Sequence, residues 1–488
     1  MRLLLVGALP YPFAQGSQVY LQEQAIALQA AGAEVDLLTY AVHPDSLARG
    51  SARPRRLDSL RHLESPRWSA PRRLRSGPSL AKPLADVGLA LALRDAVGAR
   101  VGVGVGVGVG VEGKGKGKGK GESAPGLESG VTHYDAILTH NAEACVIALA
   151  TLPASRPAIV YCVHTLLGQE LSTYLDPSFS SLDPKTSRLF PAFRRAPRRL
   201  LRRASGASLD AVGAGLDRQL ARRAEGWIAL THESERVMRH SSEAPGALIP
   251  PPLPDPLADP TRLDPRATAE SHGLVPGRYL LYSGNLDPYQ ELGLLLEAAR
   301  RQPGTATLVV ATHDARAGPV SSCLAEAGIR LIQVARAGDA TGPEEGPHDA
   351  GVAEMQALIA GARATLCLRR TLGGFPIKLA NSLALGTPPI AFHAREWGLE
   401  HGRNAWIASP QDPVASLAEA IERITRDDAL AERLRPGART LYESQHEPGR
   451  AAARTLALLD RVLERRRGRQ TGSSHWPSRP EDGSSTRQ

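Results

Sequence analysis

Residues 364–392 hold the densest chemistry in the sequence. An apolar run, Ala364–Leu368, leads into Arg369 and Arg370, the glycine turn Gly373-Gly374, Phe375 and Pro376. A helical pattern over 376–385 follows, carrying Lys378 and Asn381 and stopping at Gly386. A glycine turn that opens a helix presents unpaired backbone N–H groups at the positive end of the helix dipole. Such a start binds anions. Pro376 is expected at the first helical position, where its missing N–H costs nothing. Arg370 before the turn and Lys378 in its first helical turn add full charge. The pattern predicts a site for a phosphorylated ligand. Lys378 is also the only lysine after Lys185, which favours a functional role over that of an exposed helix lysine.

A second set of polar residues sits in the first half. His140 is expected just past the run Tyr134–Leu138, and His164 directly after Ala158–Val163. Gly16 and Ser17 end a loop that follows Leu3–Gly7. All three positions fall at carboxyl ends of expected parallel strands, where open α/β sheets bind ligands. The bland alternative for each histidine is a hydrogen-bonded loop residue.

These side chains need strands and helices in alternation to hold them, and the chain supplies that rhythm. Leu3–Gly7 and Val35–Tyr40 flank a helical face formed by Leu21, Ala25 and Leu28, a βαβ unit without GxGxxG. Glu225–Thr231 ends the first half. Prolines crowd 248–276, which marks a boundary. The rhythm then resumes with Tyr279–Ser283, a helix over Gln290–Arg301, Thr307–Ala311, Arg330–Val334 and the opening stretch. The expected organisation is a first domain over 1–247, a linker over 248–276, a second domain over 277–445, a crossover helix over 446–467 and a disordered tail over 468–488. Residues 53–75 read as a surface loop. The repeat of Gly with Val and Lys over 101–122 reads as a flexible insertion, because glycine at every second place makes order costly. It is not a P-loop, since no Ser or Thr follows a Gly-Lys.

The totals agree. A chain of 488 residues with 42% apolar content is too long for one core. The net charge of +9, carried almost wholly by arginine, suits anionic partners. The basic stretch RLFPAFRRAPRRLLRR over 188–203 fits both a peripheral contact with an anionic membrane and a solvated linker. No aromatic-studded basic platform for nucleic acid appears. Four cysteines without a CxxC, and a start that lacks a signal peptide's long apolar core, predict a cytoplasmic protein, with a peripheral place on the inner membrane face left open.

The segments GSQVYLQEQAIALQAAGAEVDLLTY, YDAILTHNAEA, VYCVHT, RRAEGWIALTHESERVMR, YLLYSGNLDPYQELGLLLEAAR, GGFPIKLANSLALGTPPIAF and GLEHGRNAWIASPQDPVASLAEAI, in this order and spacing, resemble the family 4 glycosyltransferases. The resemblance implies a GT-B fold, α/β, with two Rossmann-like doubly wound domains facing a cleft. It implies a retaining hexosyltransferase-type enzyme of cell-envelope or polysaccharide biosynthesis, using a nucleotide-diphosphate sugar as co-substrate, with no cofactor and no metal. The acceptor, whether lipid-linked, saccharide or small molecule, is not identified. By resemblance the donor lies on Gly284, Asn285, Gly373, Gly374, Phe375, Pro376 and Asn381, with Arg370 and Lys378 at the diphosphate. His164 matches the family's histidine near the transferred sugar. Gly16, Ser17 and His140 face the acceptor. Two departures stand out. Gly373 and Asn381 occupy the places of the family's paired glutamates, and Asn285 and Gln290 those of its diphosphate-binding arginine and lysine. A non-catalytic nucleotide-sugar-binding protein of the same fold, or a sugar-nucleotide epimerase, are the alternative readings.

Overall fold

The computed structural model describes residues 1–11, 16–43, 60–70, 82–98, 133–170, 206–314, 317–334, 347–371 and 373–472. The repeat over 101–122, the basic stretch over 188–203 and the residues after 472 lie outside them.

The first domain runs β1 (Arg2–Pro10), α1 (Gly16–Ala30), β2 (Glu34–Tyr40), β3 (Arg61–Glu64), α2 (Lys82–Ala96), β4 (Ala136–His140), α3 (Ala142–Thr151), β5 (Ala158–Val163), α4 (Gly206–Arg223), β6 (Gly226–Ala229), α5 (His232–Ser241) and β7 (Gly246–Leu248). The seven strands are all parallel, in the order β3-β2-β1-β4-β5-β6-β7. Central strands such as Leu3–Val6 and Ile159–Val163 are buried on both faces, which is why they read as continuous apolar runs rather than alternating ones. The expected loop over 53–75 contains β3, which pairs with β2 from Asp36↔Arg61 to Thr39↔Glu64. Its residues are only partly covered, as suits an edge strand, and its sequence RHLE carries no apolar run to announce it.

After a helix in the connecting segment, α6 (Pro265–Ser271), the second domain runs β8 (Tyr279–Ser283), α7 (Leu292–Arg301), β9 (Thr307–Thr312), α8 (Ala317–Glu326), β10 (Ile329–Gln333), α9 (Pro347–Gly361), β11 (Ala364–Cys367), α10 (Ile377–Ala384), β12 (Pro389–Ala391), β13 (Trp406–Ile407), α11 (Pro413–Arg426) and α12 (Asp428–Gln445). Its six parallel strands follow the order β10-β9-β8-β11-β12-β13. The final helix, α13 (Pro448–Gly472), packs on α1 and returns the chain to the first domain.

Both sheets are Rossmann-like and doubly wound. Their strand order reverses between β1 and β4 in the first domain and between β8 and β11 in the second. At such a switch point the helices leave to opposite faces and a crevice opens at the strand carboxyl ends.

One apolar cluster joins the halves. Tyr20, Leu21 and Leu28 of α1 share it with Phe375, Leu379 and Leu383 around α10 and with Tyr442, Leu458 and Leu459 of the last two helices. The linker is pinned to the same region. Tyr442 Oη donates to Leu253 O (2.9 Å), His446 Nδ1 bonds Pro251 O (2.8 Å), and Arg439 pairs with Asp255 (2.5 Å). The domains are thus held by packing as well as by the chain connection.

Candidate functional site

The two switch points face one another across the domain boundary. On the first-domain side, β4 ends at His140, whose backbone pairs with Gly7 of β1, and His164 follows β5 by one residue. His140 was expected past its strand end. It is instead the last strand residue, because β4 runs two residues beyond the apolar run. The two imidazoles meet, Nδ1 of His140 lying 3.0 Å from Nε2 of His164. The Tyr20 ring lies 5.0 Å from each. Burial disfavours the imidazolium, pushing His164 down to about 3; His140 falls well below its usual range through burial and then through His164 itself. The pair is therefore neutral near pH 7, one ring donating to the other. It can position a hydroxyl but cannot supply a cation.

Gly16 and Ser17 were expected in a loop. They open α1 and are exposed. A Cβ built on Gly16 would lie 3.5 Å from Ile377 of α10, so the start of α1 reaches the start of the donor-side helix.

On the second-domain side, β8 ends at Ser283, and Gly284 follows it at φ +122. A Cβ there would lie 3.4 Å from Nζ of Lys378. The helix α10 therefore aims its lysine back under the end of β8. The Lys378 stem is half-buried, but its nitrogen is fully buried, has no hydrogen-bond partner, and lies 4.0 Å from the Tyr282 ring centroid. Burial holds the amine down to about 7, with Arg369 pressing the same way and Cys367 opposing. A buried amine without a hydrogen-bond partner at a switch point has the chemistry to bind an anion.

Arg370 behaves differently from its expected role as a free cation. Glu291, itself buried, accepts from Arg370 Nε (2.7 Å) and from the Arg370 backbone N–H (2.6 Å), and pairs with Nη2 (2.5 Å). Glu291 adopts φ +54, a left-handed conformation that a non-glycine residue holds only where contacts enforce it. The pair ties the loop after β11 to the loop after β8. Replacing Glu291 by Gln is expected to destabilise the second domain by about 2 kcal/mol, since it leaves the arginine without its counter-charge. Denaturant titration would register this as a lower midpoint, and an unchanged midpoint would mean the pair is idle.

The other expected donor residues are accounted for in turn. Asn285 and Gln290 serve their own loop, Gln290 Nε2 donating to Asn285 Oδ1 (3.0 Å) and Asn285 Nδ2 to Asp287 (2.6 Å). The Gly373 carbonyl accepts from Arg369 Nη2. Phe375 turns its ring into the shared apolar cluster, 4.8 Å from His446, and leaves only its backbone at the turn. Pro376 caps α10 with extended backbone at ψ 110; it stands one place before the helical position expected for it. Asn381 Nδ2 reaches back to Ile377 O at 3.4 Å.

Gly374 is one of the points where the halves touch. It has φ +75, and a Cβ on it would lie 2.5 Å from the His164 carbonyl oxygen and 2.8 Å from Cγ2 of Thr165. Sequence reasoning named Gly374 for its turn; its role as the contact point between domains was not visible. It named Arg369 without giving it a role, and it missed Glu291, Tyr282 and Glu170, a carboxyl that accepts from Thr165 Oγ1 (2.6 Å) and is raised by burial. The two arginines adjoined the glycine turn and were readable as a pair. Nothing local marked the others.

Residues 277–427 match the family model described as Glycosyl transferases group 1. No curated protein matches the chain in sequence. Among solved structures, sucrose-phosphate synthase from Thermosynechococcus elongatus superposes with a TM-score of 0.62 at 16% identity, covering 97% of this chain and 100% of that one. Anabaena HepE in complex with UDP-glucose gives 0.53 at 13% identity over 97% and 100%. WaaG, a glycosyltransferase involved in lipopolysaccharide biosynthesis, gives 0.51 at 12% over 93% and 98%. Residues 277–427 of this chain are thus similar to the glycosyltransferase group 1 family, and the chain as a whole has the GT-B fold.

Proposed function

We propose that this protein is a glycosyltransferase that moves a sugar from a nucleotide-diphosphate sugar to an acceptor with retention. The observation that carries this reading is the contact of Gly374, just before α10, with the backbone of His164 across the boundary, with the buried Lys378 amine on α10 and the His140–His164 pair on either side of it. The donor diphosphate would lie on the turn, stabilised by backbone N–H groups and Lys378, with Arg370 held near by Glu291. Stabilising the departing phosphate is the main catalytic term in such a site. The departing phosphate would take the acceptor proton on the same face, so no protein nucleophile is invoked. His164, neutral and fixed by His140, would orient the transferred sugar. Similarity to a structure solved with UDP-glucose makes UDP-sugars the first donors to try, and WaaG makes a saccharide or lipid-linked acceptor of the cell envelope the first acceptor class.

A second reading is a nucleotide-sugar-binding protein without turnover. The observation that favours it is the self-satisfied network of Asn285 and Gln290 and the neutral Gly373 and Asn381, where the resemblance led us to expect charges. A thermal-shift panel of nucleotide sugars, followed by nucleotide release with mixed acceptors, separates the two. A donor that raises the melting temperature by mass action and is then consumed supports the enzyme. Stabilisation without release supports the binder, and no stabilisation by any donor overturns both.

Donor binding should also take up a proton. The free amine of Lys378 sits near 7, and a diphosphate favours its charged form. At pH 8 calorimetry in buffers of different ionisation enthalpy should show proton uptake, and at pH 6 little. Affinity is expected to weaken as pH rises above about 7. A pH-independent affinity would exclude Lys378 from the diphosphate.

A further inference from the structure

Among the described residues, seven of the eleven exposed large hydrophobic side chains lie on three helices and one short turn of the first domain. On α2, Leu84, Val87 and Leu91 recur at helical spacing on the side turned away from the sheet, while Ala85, Leu89 and Leu93 face the core. On α4, Val212 and Leu216 do the same, and α3 between them exposes Val146. The helix α3 packs against both α2 and α4, so the three outer faces adjoin. Trp68, 56% exposed, lies in the short turn Arg67–Ser69, whose Ser69 side chain crowds Gly88 of α2. A contiguous apolar surface of this kind marks an interaction site.

We propose that this face of the first domain docks on an anionic lipid bilayer. The charge pattern selects that occupant. Each aliphatic stripe ends in an arginine seven residues on, Val87 with Arg94 and Leu216 with Arg223. Arg67, Arg218 and Arg222 are exposed beside the stripes. Two neighbouring acids are spent inside the protein, Asp86 accepting from Tyr40 and Glu143 pairing with Lys82 (2.7 Å), while Asp95 beside Arg94 is exposed. Arginines can lay their stems on apolar surface and present guanidinium groups to lipid phosphates. A tryptophan at the rim suits the water–lipid interface. Among the described residues no helix is long and apolar enough to cross a membrane. The same domain carries the His140–His164 pair, and α3 starts right after His140. Docking would set the acceptor half beside the bilayer. The surface was not visible as such in the sequence, where the basic stretch over 188–203 was the membrane candidate. The docking proposal does not depend on sugar transfer.

Flotation of the full chain with phosphatidylcholine vesicles, with and without phosphatidylglycerol, tests it. Binding is expected only with phosphatidylglycerol, and should weaken with added salt. The combined variant Leu84→Ser, Val87→Ser, Leu91→Ser and the combined variant Arg218→Gln, Arg222→Gln, Arg223→Gln should each bind about tenfold more weakly, with unchanged melting temperatures. Should the serine variant fail to fold, Val212→Ser with Leu216→Ser reads the same surface. Absence of binding, or binding that ignores both variants, overturns the proposal. So does loss of binding only when the arginines over 188–203 are neutralised. A concentration-dependent dimer that the serine variant dissociates would overturn it too, by making the face a self-interface.

Discussion

Gly374→Ala is expected to cut sugar transfer about a hundredfold while leaving both domains folded. Two causes act together. The backbone at φ +75 suits glycine and costs a residue with a Cβ about 1 kcal/mol. The larger cause is steric. The new methyl would stand 2.5 Å from the His164 carbonyl oxygen, a backbone atom that cannot swing aside. The donor turn and the first domain must then separate, and a displacement of about 1 Å between reacting groups is enough for a loss of that size. The defect should fall on kcat more than on donor affinity, because the donor's own contacts lie within the second domain. Steady-state kinetics beside donor titration would show this. An alanine variant with unchanged kcat would mean that the closed contact is not the reactive arrangement.

Lys378→Met is expected to lower kcat by about 10²- to 10³-fold, the usual loss when one group that stabilises developing charge is removed. Its effect on stability should run the other way. Burial depresses the amine to about 7, so the unfolded chain holds the proton more tightly than the folded one. The resulting destabilisation sets in as pH falls below the amine's ordinary 10.5 and is complete below about 7. Methionine carries no such term and matches the stem in shape. The variant should therefore melt at or above the wild-type temperature at pH 7, with a smaller difference near pH 10. Lower activity with retained or greater stability marks a residue kept for function. A variant that loses stability at neutral pH with unchanged turnover would make Lys378 a packing residue.

The two sheets were readable from the sequence because parallel central strands are buried on both faces. Leu3–Gly7, Ala158–Val163 and Tyr279–Ser283 are runs that chain-local apolarity alone identifies. The strand β3 was not readable, since an edge strand of the sequence RHLE needs only one neighbour and little burial. Helices α3 and α4 were not assigned from sequence either. On α4 the backbone at Gly213 comes so close to Gly168 that an added Cβ would lie 2.6 Å from it, and such a close approach has no local period.

The candidate site divides the same way. The sequence by itself determined the glycine turn, the lysine in the first turn of the helix after it and the two histidines near strand ends, because each depends on residues within a few positions of one another. Only the tertiary structure decided what those groups are. It brought His140 to His164 from 24 residues away and Glu291 to Arg370 from 79. It left the Lys378 amine buried beneath Gly284 without a hydrogen-bond partner and set Gly374 against the other domain. Charge state and contact depend on burial and on which distant segments meet. Those are fixed by how two separately wound sheets pack, and no short stretch of sequence encodes that packing.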